Sequence, residues 1–144
     1  MTDEEKRMRD RDLYDIAESA RANSYCPYSG VSVGAALHTA DGRVYLGSNI
    51  ENSAYSPGVC AERVAIFKAV SEGKRKFVAL AVAGGKQGEP SSSAFPPCGV
   101  CRQVMEEFCD PDFEIILKDG DSTARYTLGQ LLPLSFGKDD LKPR

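Results

Sequence analysis

The sequence predicts an α/β fold, a three-layer sandwich in which one central mixed sheet carries helices on both faces. Two observations lead there. The hydrophobic period switches along the chain in the order α-β-β-α-β-α-β, and elements in that order pack as a sheet covered by helices. The run Phe77 to Ala83 is almost continuously apolar, as a strand buried on both faces must be.

Taken in order, residues from about Arg7 to Asn23 place Leu13, Ile16, Ala17 and Ala20 on one helical stripe. That helix must stop before Cys26-Pro27, because the residue preceding proline disfavours the α region. Val31 to Leu37 reads as a strand, Asp41-Gly42 as a hairpin turn, and Arg43 to Ile50 as the returning strand. Cys60 to Glu72 forms a second helix, with Val64, Ala65, Phe67 and Ala69 on it and Gly73 as its C-cap. After the Phe77 strand, Gly84 to Pro97 is a Gly/Pro/Ser-rich loop and Cys98 to Phe108 a third helix. Phe113 to Leu117 is a further strand, followed by the turn Asp119-Gly120. Residues 1–144 read as one domain, with 1–6 and 138–144 expected as mobile tails.

A chain of 144 residues can bury a core without disulfides. The net charge of -3 argues against a polynucleotide partner, which would call for clustered Lys and Arg to displace counterions. Basic residues between Glu4 and Asp12 alternate with acids, as on a solvated helix face. No stretch approaches the roughly 20 apolar residues that span a bilayer, and the first residues lack a signal-peptide core. Neither nucleic acid nor membrane is therefore an expected partner, and the expected location is cytoplasmic. There, the five cysteines are thiols or metal ligands rather than disulfides.

Two segments carry chemistry: Cys60-Ala61-Glu62-Arg63 and Pro97-Cys98-Gly99-Val100-Cys101-Arg102-Gln103. Each opens a predicted helix after a turn-rich loop. Cys98 and Cys101, three apart, share one side of a first turn. Helix N-termini favour thiolate, and three thiolates from two such termini make a good zinc site. A fourth protein ligand is missing. Cys109 lies about 12 Å from Cys101 along its helix at 1.5 Å per residue, Cys26 is far upstream, and His38 is in a strand. An open position points to a catalytic rather than a structural site. On an ideal helix Cys60 and Glu62 would stand about 200° apart, so Cys60 must sit at the cap for both to reach one site. Glu62 can then move a proton between water and substrate without binding the metal. This pairing of a non-ligand Glu with Pro-Cys-x-x-Cys is that of zinc nucleobase deaminases, here with an all-cysteine ligand set whose charge Arg63 would offset.

The chain resembles the homotetrameric zinc-dependent cytidine deaminases of the cytidine/deoxycytidylate deaminase superfamily from about Ala22 to Leu141. The matching segments are Cys26-Pro27-Tyr28-Ser29, Val33-Gly34-Ala35-Ala36, Asn49-Ile50-Glu51-Asn52, Tyr55, the two cysteine motifs, and Leu131-Leu132-Pro133 with Phe136. The resemblance implies a central mixed five-stranded sheet, and hydrolytic deamination of cytidine and 2′-deoxycytidine in pyrimidine salvage, with one zinc ion per chain. It implies that Asn49 and Glu51 hold the ribose, that Ala61 and Glu62 read the pyrimidine edge, and that Tyr55 and Phe136 reach a neighbouring subunit's site. Val31 stands where similar proteins carry Phe. A smaller contact to the base would then relax selectivity toward bulkier N4- or ring-substituted pyrimidine nucleosides.

Other readings are weaker. A blasticidin S type deaminase would not need the Asn49–Asn52 ribose grip, charge disfavours an RNA or DNA deaminase, and Glu62 argues against a non-catalytic zinc module. Cys26 and Cys109 read as small apolar fillers and His38 as a surface residue at a strand end.

Overall fold

The computed structural model describes residues 1–143. Helix α1 (Asp3–Ala20) runs into a 3-10 turn at Arg21–Asn23, followed by strands β1 (Val31–Thr39) and β2 (Val44–Ser48). Helix α2 (Ala61–Ser71), strand β3 (Phe77–Lys86), helix α3 (Gly99–Phe108) and the hairpin β4 (Glu114–Asp119) and β5 (Ser122–Thr127) complete the main body. A short helix α4 (Leu128–Leu131) and a 3-10 turn at Lys138–Leu141 end the chain.

The five strands form one mixed sheet in the order β2-β1-β3-β4-β5. Every pairing is antiparallel except β3 with β4, and there α3 supplies the crossover that a parallel pair requires. Alternation along β3 explains its continuous apolar run. Ala79, Ala81 and Ala83 face α1, packing with Leu13, Tyr14 and Ala17. Leu80 and Val82 face the other way, into a core with Ala65, Ile66, Cys101 and Met105 of α2 and α3. The expected three layers are therefore α1, the sheet, and the α2/α3 pair.

Two strand glycines set the helix-to-sheet spacing. A Cβ on Gly34 would lie 2.0 Å from the Ala17 carbonyl oxygen, and one on Gly47 2.1 Å from that of Ala61. Both helices thus rest directly on strand backbone, as a glycine inside a strand permits. The Gly47 contact brings the first turn of α2 down onto β2 and so fixes the height of the site.

Several boundaries differ from the sequence reading. Helix α1 begins at Asp3, so residues 3–6 are helical rather than part of a loose tail. Thr2 Oγ1 accepts from the Glu5 amide at 3.1 Å, and Asp3, Glu4 and Glu5 suit the positive helix end. Near the C-terminus, the Gly137 amide donates to Asp140 Oδ2 at 2.9 Å across the final 3-10 turn. Strand β3 runs on through Gly84, Gly85 and Lys86, which pair with Val33, Ser32 and Val31. Strand β5 carries no clean alternation because, as an edge strand, it is exposed or half-buried throughout.

Candidate metal centre and substrate cavity

Cys60 and Cys98 are the N-caps of α2 and α3, with extended backbones (ψ 156° and 170°), and neither side chain caps its helix. Ser, Thr, Asp or Asn would normally fill such positions. Here the sulfurs turn toward each other instead. The Sγ atoms of Cys60, Cys98 and Cys101 all lie within 4.8 Å of one another, with Cys60 to Cys98 at 3.8 Å. The first intrahelical bonds, Val64 to Cys60 and Arg102 to Cys98, leave the amides before them open at both helix starts. Cap geometry also resolves the angular problem between Cys60 and Glu62, since helical backbone begins only at Ala61.

The electrostatics fit a thiolate-binding cation. The Cys60 thiol is pulled down to about 5, first by hydrogen bonding from Cys101 and then by Arg63. Cys101, the proton-bearing member of the pair, is pushed up by the same contact and by burial. Arg63 Nη2 donates to Cys60 Sγ at 3.4 Å. Glu62 is only 4% exposed and burial raises its carboxyl to about 7. Its Oε1 and the Arg63 Nε are the buried side-chain polar atoms without a partner among the described residues. Three convergent sulfurs are a soft donor set suited to zinc, and a buried carboxylate left unpaired beside them suits a catalytic rather than a closed site.

These groups open into a cavity of about 690 Å³, whose wall includes Glu62, Arg63, Cys60, Cys98, Asn49 and Phe95. Glu51 lies on the same wall, its Oε1 accepting the amides of Tyr28 and Ser29 at 3.0 and 3.1 Å and its Oε2 accepting from the Ser29 hydroxyl. Asn49 is partly committed to the fold: Oδ1 accepts the Val33 amide at 2.8 Å and Nδ2 donates to the Val31 carbonyl at 2.9 Å. One N–H and one lone pair of its amide stay free for a ligand. Ala61 is fully buried at the head of α2 and lines the cavity, while Tyr55 stands fully exposed at its rim. A second groove of about 680 Å³ lies between α1 and the β4–β5 hairpin. On its wall Asp10 and Arg125 form an ion pair at 2.8 Å, and none of the cysteines lines it.

Two predicted substrate-binding residues fall outside the cavity. Val31, expected beside the base, faces the site side of the sheet but packs into the core and does not line the cavity. Phe136 is 59% exposed and does not line this chain's own cavity, its carbonyl accepting from Gln103 Nε2 at 2.8 Å. Arg102 ties the same region down, donating to the Pro97 carbonyl at 2.8 Å and the Leu131 carbonyl at 2.6 Å. His38 is half-buried near the end of β1, and burial lowers its pKa. Cys26 is buried and Cys109 caps the far end of α3, both away from the metal cluster. Phe95 and Gly47 were not legible as site residues. The available signals were a lone aromatic in a Gly/Pro/Ser loop before a cysteine motif, and a glycine inside a strand.

Residues 7–116 match the cytidine and deoxycytidylate deaminase zinc-binding region. A cytidine deaminase from Sporosarcina psychrophila is 52% identical over 130 residues, covering 88% of this chain and 91% of that protein. The crystal structure of a cytidine deaminase from Burkholderia pseudomallei superposes with a TM-score of 0.79 at 40% identity, covering 94% of this chain and all of its own. A blasticidin-S deaminase from Bacillus cereus is more distant, 30% identical over 110 residues. The chain belongs to the zinc-dependent cytidine and deoxycytidylate deaminase family.

Proposed function

We propose that the chain hydrolyses cytidine and 2′-deoxycytidine to the uracil nucleosides, in pyrimidine salvage and in the cytoplasm. The observation that carries this is the junction of two helix N-caps, where three sulfurs converge beside a buried, unpaired Glu62 that opens into a nucleoside-sized cavity. Cys60, Cys98 and Cys101 would hold zinc, which supplies a Lewis acid able to make water nucleophilic near neutral pH.

The residues of the chain do the rest. Glu62 takes one proton from the attacking water and delivers it to the pyrimidine ring nitrogen, then carries the second proton from the newly formed hydroxyl to the leaving amine, so that the oxygen becomes the ring carbonyl. Water oxygen bonds to the ring carbon, the C–N bond breaks, and ammonia leaves with the proton balance closed. The Ala61 backbone reads the polar ring edge from the open start of α2. Arg63 offsets the charge on Cys60. Asn49 and Glu51 grip the sugar, held rigid by their bonds to β1 and to Tyr28-Ser29.

The same reading makes the active form a homotetramer. Tyr55, Leu134 and Phe136 are all exposed in one chain, and Phe136 faces no cavity of its own. In an assembly Tyr55 and Phe136 would complete a neighbour's site. Blasticidin-type activity is the weaker reading, because the Asn49–Glu51 arrangement matches a ribose. Among the described residues no helix is long and apolar enough to cross a membrane, and neither membrane nor nucleic acid enters this reading.

The test is the absorbance fall of cytidine on addition of zinc-loaded protein, with ammonia released in equal amount, alongside light scattering. Turnover by an oligomer of four chains is the expected result. Absent turnover in a zinc-loaded, folded protein would overturn the assignment, and full activity in a monomer would overturn the shared site.

A further inference from the structure

Val31 does not line the cavity. We propose that Phe95, carried on the loop before the second cysteine motif, is the wall against which the pyrimidine packs and the residue that sets which pyrimidines are accepted. The proposal rests on the deaminase reading above and deepens it.

Four observations converge on this ring. Phe95 lines the cavity beside Glu62 and Cys98 and is half-buried, packing against the α2/α3 core. The other aromatic side chains on the wall, Tyr28 and Tyr55, are exposed, so Phe95 is the aromatic that stands inside.

The ring is seated on strand backbone. A Cβ on Gly84 would lie 2.5 Å from Phe95 Cγ and 2.7 Å from each Cδ. No residue other than glycine leaves room for the ring there. Gly84 pairs with Val33, which also lines the cavity, whereas Val31 pairs with Lys86 one step further along the same face. The ring thus covers the sheet where the cavity meets β1 and β3, and Val31 lies beyond it.

The tether is short and stiff. Phe95 is followed by Pro96, Pro97 and Cys98, and two prolines fix φ in succession. Pro97 is buried and its carbonyl accepts from Arg102 Nε at 2.8 Å. The ring's position is thereby locked to that of the Cys98 sulfur, although it sits in a loop. A rigid aromatic face at a fixed distance from the reacting centre offers offset or edge contact to a pyrimidine π-face.

This changes the expectation attached to Val31. A smaller side chain at that strand position does not widen the cavity, because a ring arriving from the loop bounds it. Selectivity against bulky pyrimidines should respond to Phe95 and Gly84, and little to Val31.

The experiment compares the wild-type zinc-loaded protein with Phe95→Ala, Gly84→Ala and Val31→Ala. Steady-state kinetics on cytidine and N4-methylcytidine are read with zinc content, thermal unfolding, and the dissociation constant of uridine by calorimetry. Removing a stacking ring costs about 5- to 150-fold per base, so Phe95→Ala should raise the cytidine KM and the uridine constant together by about 10-fold or more. Its kcat should change far less, the signature of lost uniform binding. Its preference for cytidine over N4-methylcytidine should narrow, as when steric exclusion is removed. Gly84→Ala, which displaces the ring, should follow it. Val31→Ala should stay close to the wild-type constants.

A folded, zinc-loaded Phe95→Ala protein with unchanged cytidine KM and uridine binding would overturn the proposal. So would a larger effect from Val31→Ala than from Phe95→Ala. If the wild type turned over no cytidine but bound uridine, and Phe95→Ala weakened that binding, the deaminase reading would fall while the role of Phe95 stood.

Discussion

On the α1 face of the sheet, Asp10 is only 3% exposed, yet both its oxygens are engaged, Oδ1 with Arg9 and Oδ2 with Arg125 at 2.8 Å each. Glu114 closes that network with the same two arginines, and nearby the Tyr14 hydroxyl meets Ser91 Oγ at 2.8 Å. On the α2/α3 face, Glu62 is buried to the same degree and its Oε1 meets nothing. Burying an unpaired polar group costs about 1–3 kcal/mol, more when it is charged. One face therefore spends its buried charge on holding the fold. The other leaves it unsatisfied where a ligand is to arrive, the usual trade of stability for activity.

Substitutions on the two faces should then act in opposite directions. The largest effect is expected from Cys101→Ser, which removes a soft donor from the cluster. Zinc content by mass spectrometry should drop together with activity, and an active variant with a full zinc load would remove Cys101 from the ligand set. Next, Glu62→Gln should lower kcat by about 10²–10⁴-fold while zinc is retained. Because it replaces a buried, unpaired carboxylate with a neutral amide, its unfolding temperature should not fall. A clear loss of stability would show that Glu62 serves the fold after all.

Asp10→Ala should do the reverse. Breaking a buried ion pair from one side costs about 3–5 kcal/mol, which chemical denaturation would read, while kcat/KM of the folded fraction stays at the wild-type value. The smallest effect concerns Glu18. Burial pulls its carboxyl upward, but hydrogen bonds from Ser91 and Arg21 outweigh this and hold it below the ordinary 4.5. A depressed carboxyl gives stability that is present above about pH 4.5 and lost as pH falls through the folded value. Glu18→Gln should flatten the acid limb of the stability curve below that pH and leave the neutral plateau lower by a hydrogen bond's worth. An acid limb of unchanged slope would remove Glu18 from it.

Local pattern alone determined most of this molecule. The alternation of periods fixed the order of the helices and four strands, and a thiol at each of two helix starts, with Glu62 two residues after one of them, marked the centre. Those features are legible because they depend on residues adjacent in the chain. Tertiary structure decided what depends on the arrival of distant segments. Strand β5 forms because β4 offers an edge, not because Ser-Thr-Ala-Arg-Tyr-Thr insists on pairing. Gly47 matters because Ala61 comes to rest on it, and Gly84 because the Phe95 ring does. Phe95 lines the cavity and Val31 does not for the same reason. Which side chain fills a space is set by the packing of all the segments that meet there, and a one-dimensional pattern carries no record of that meeting.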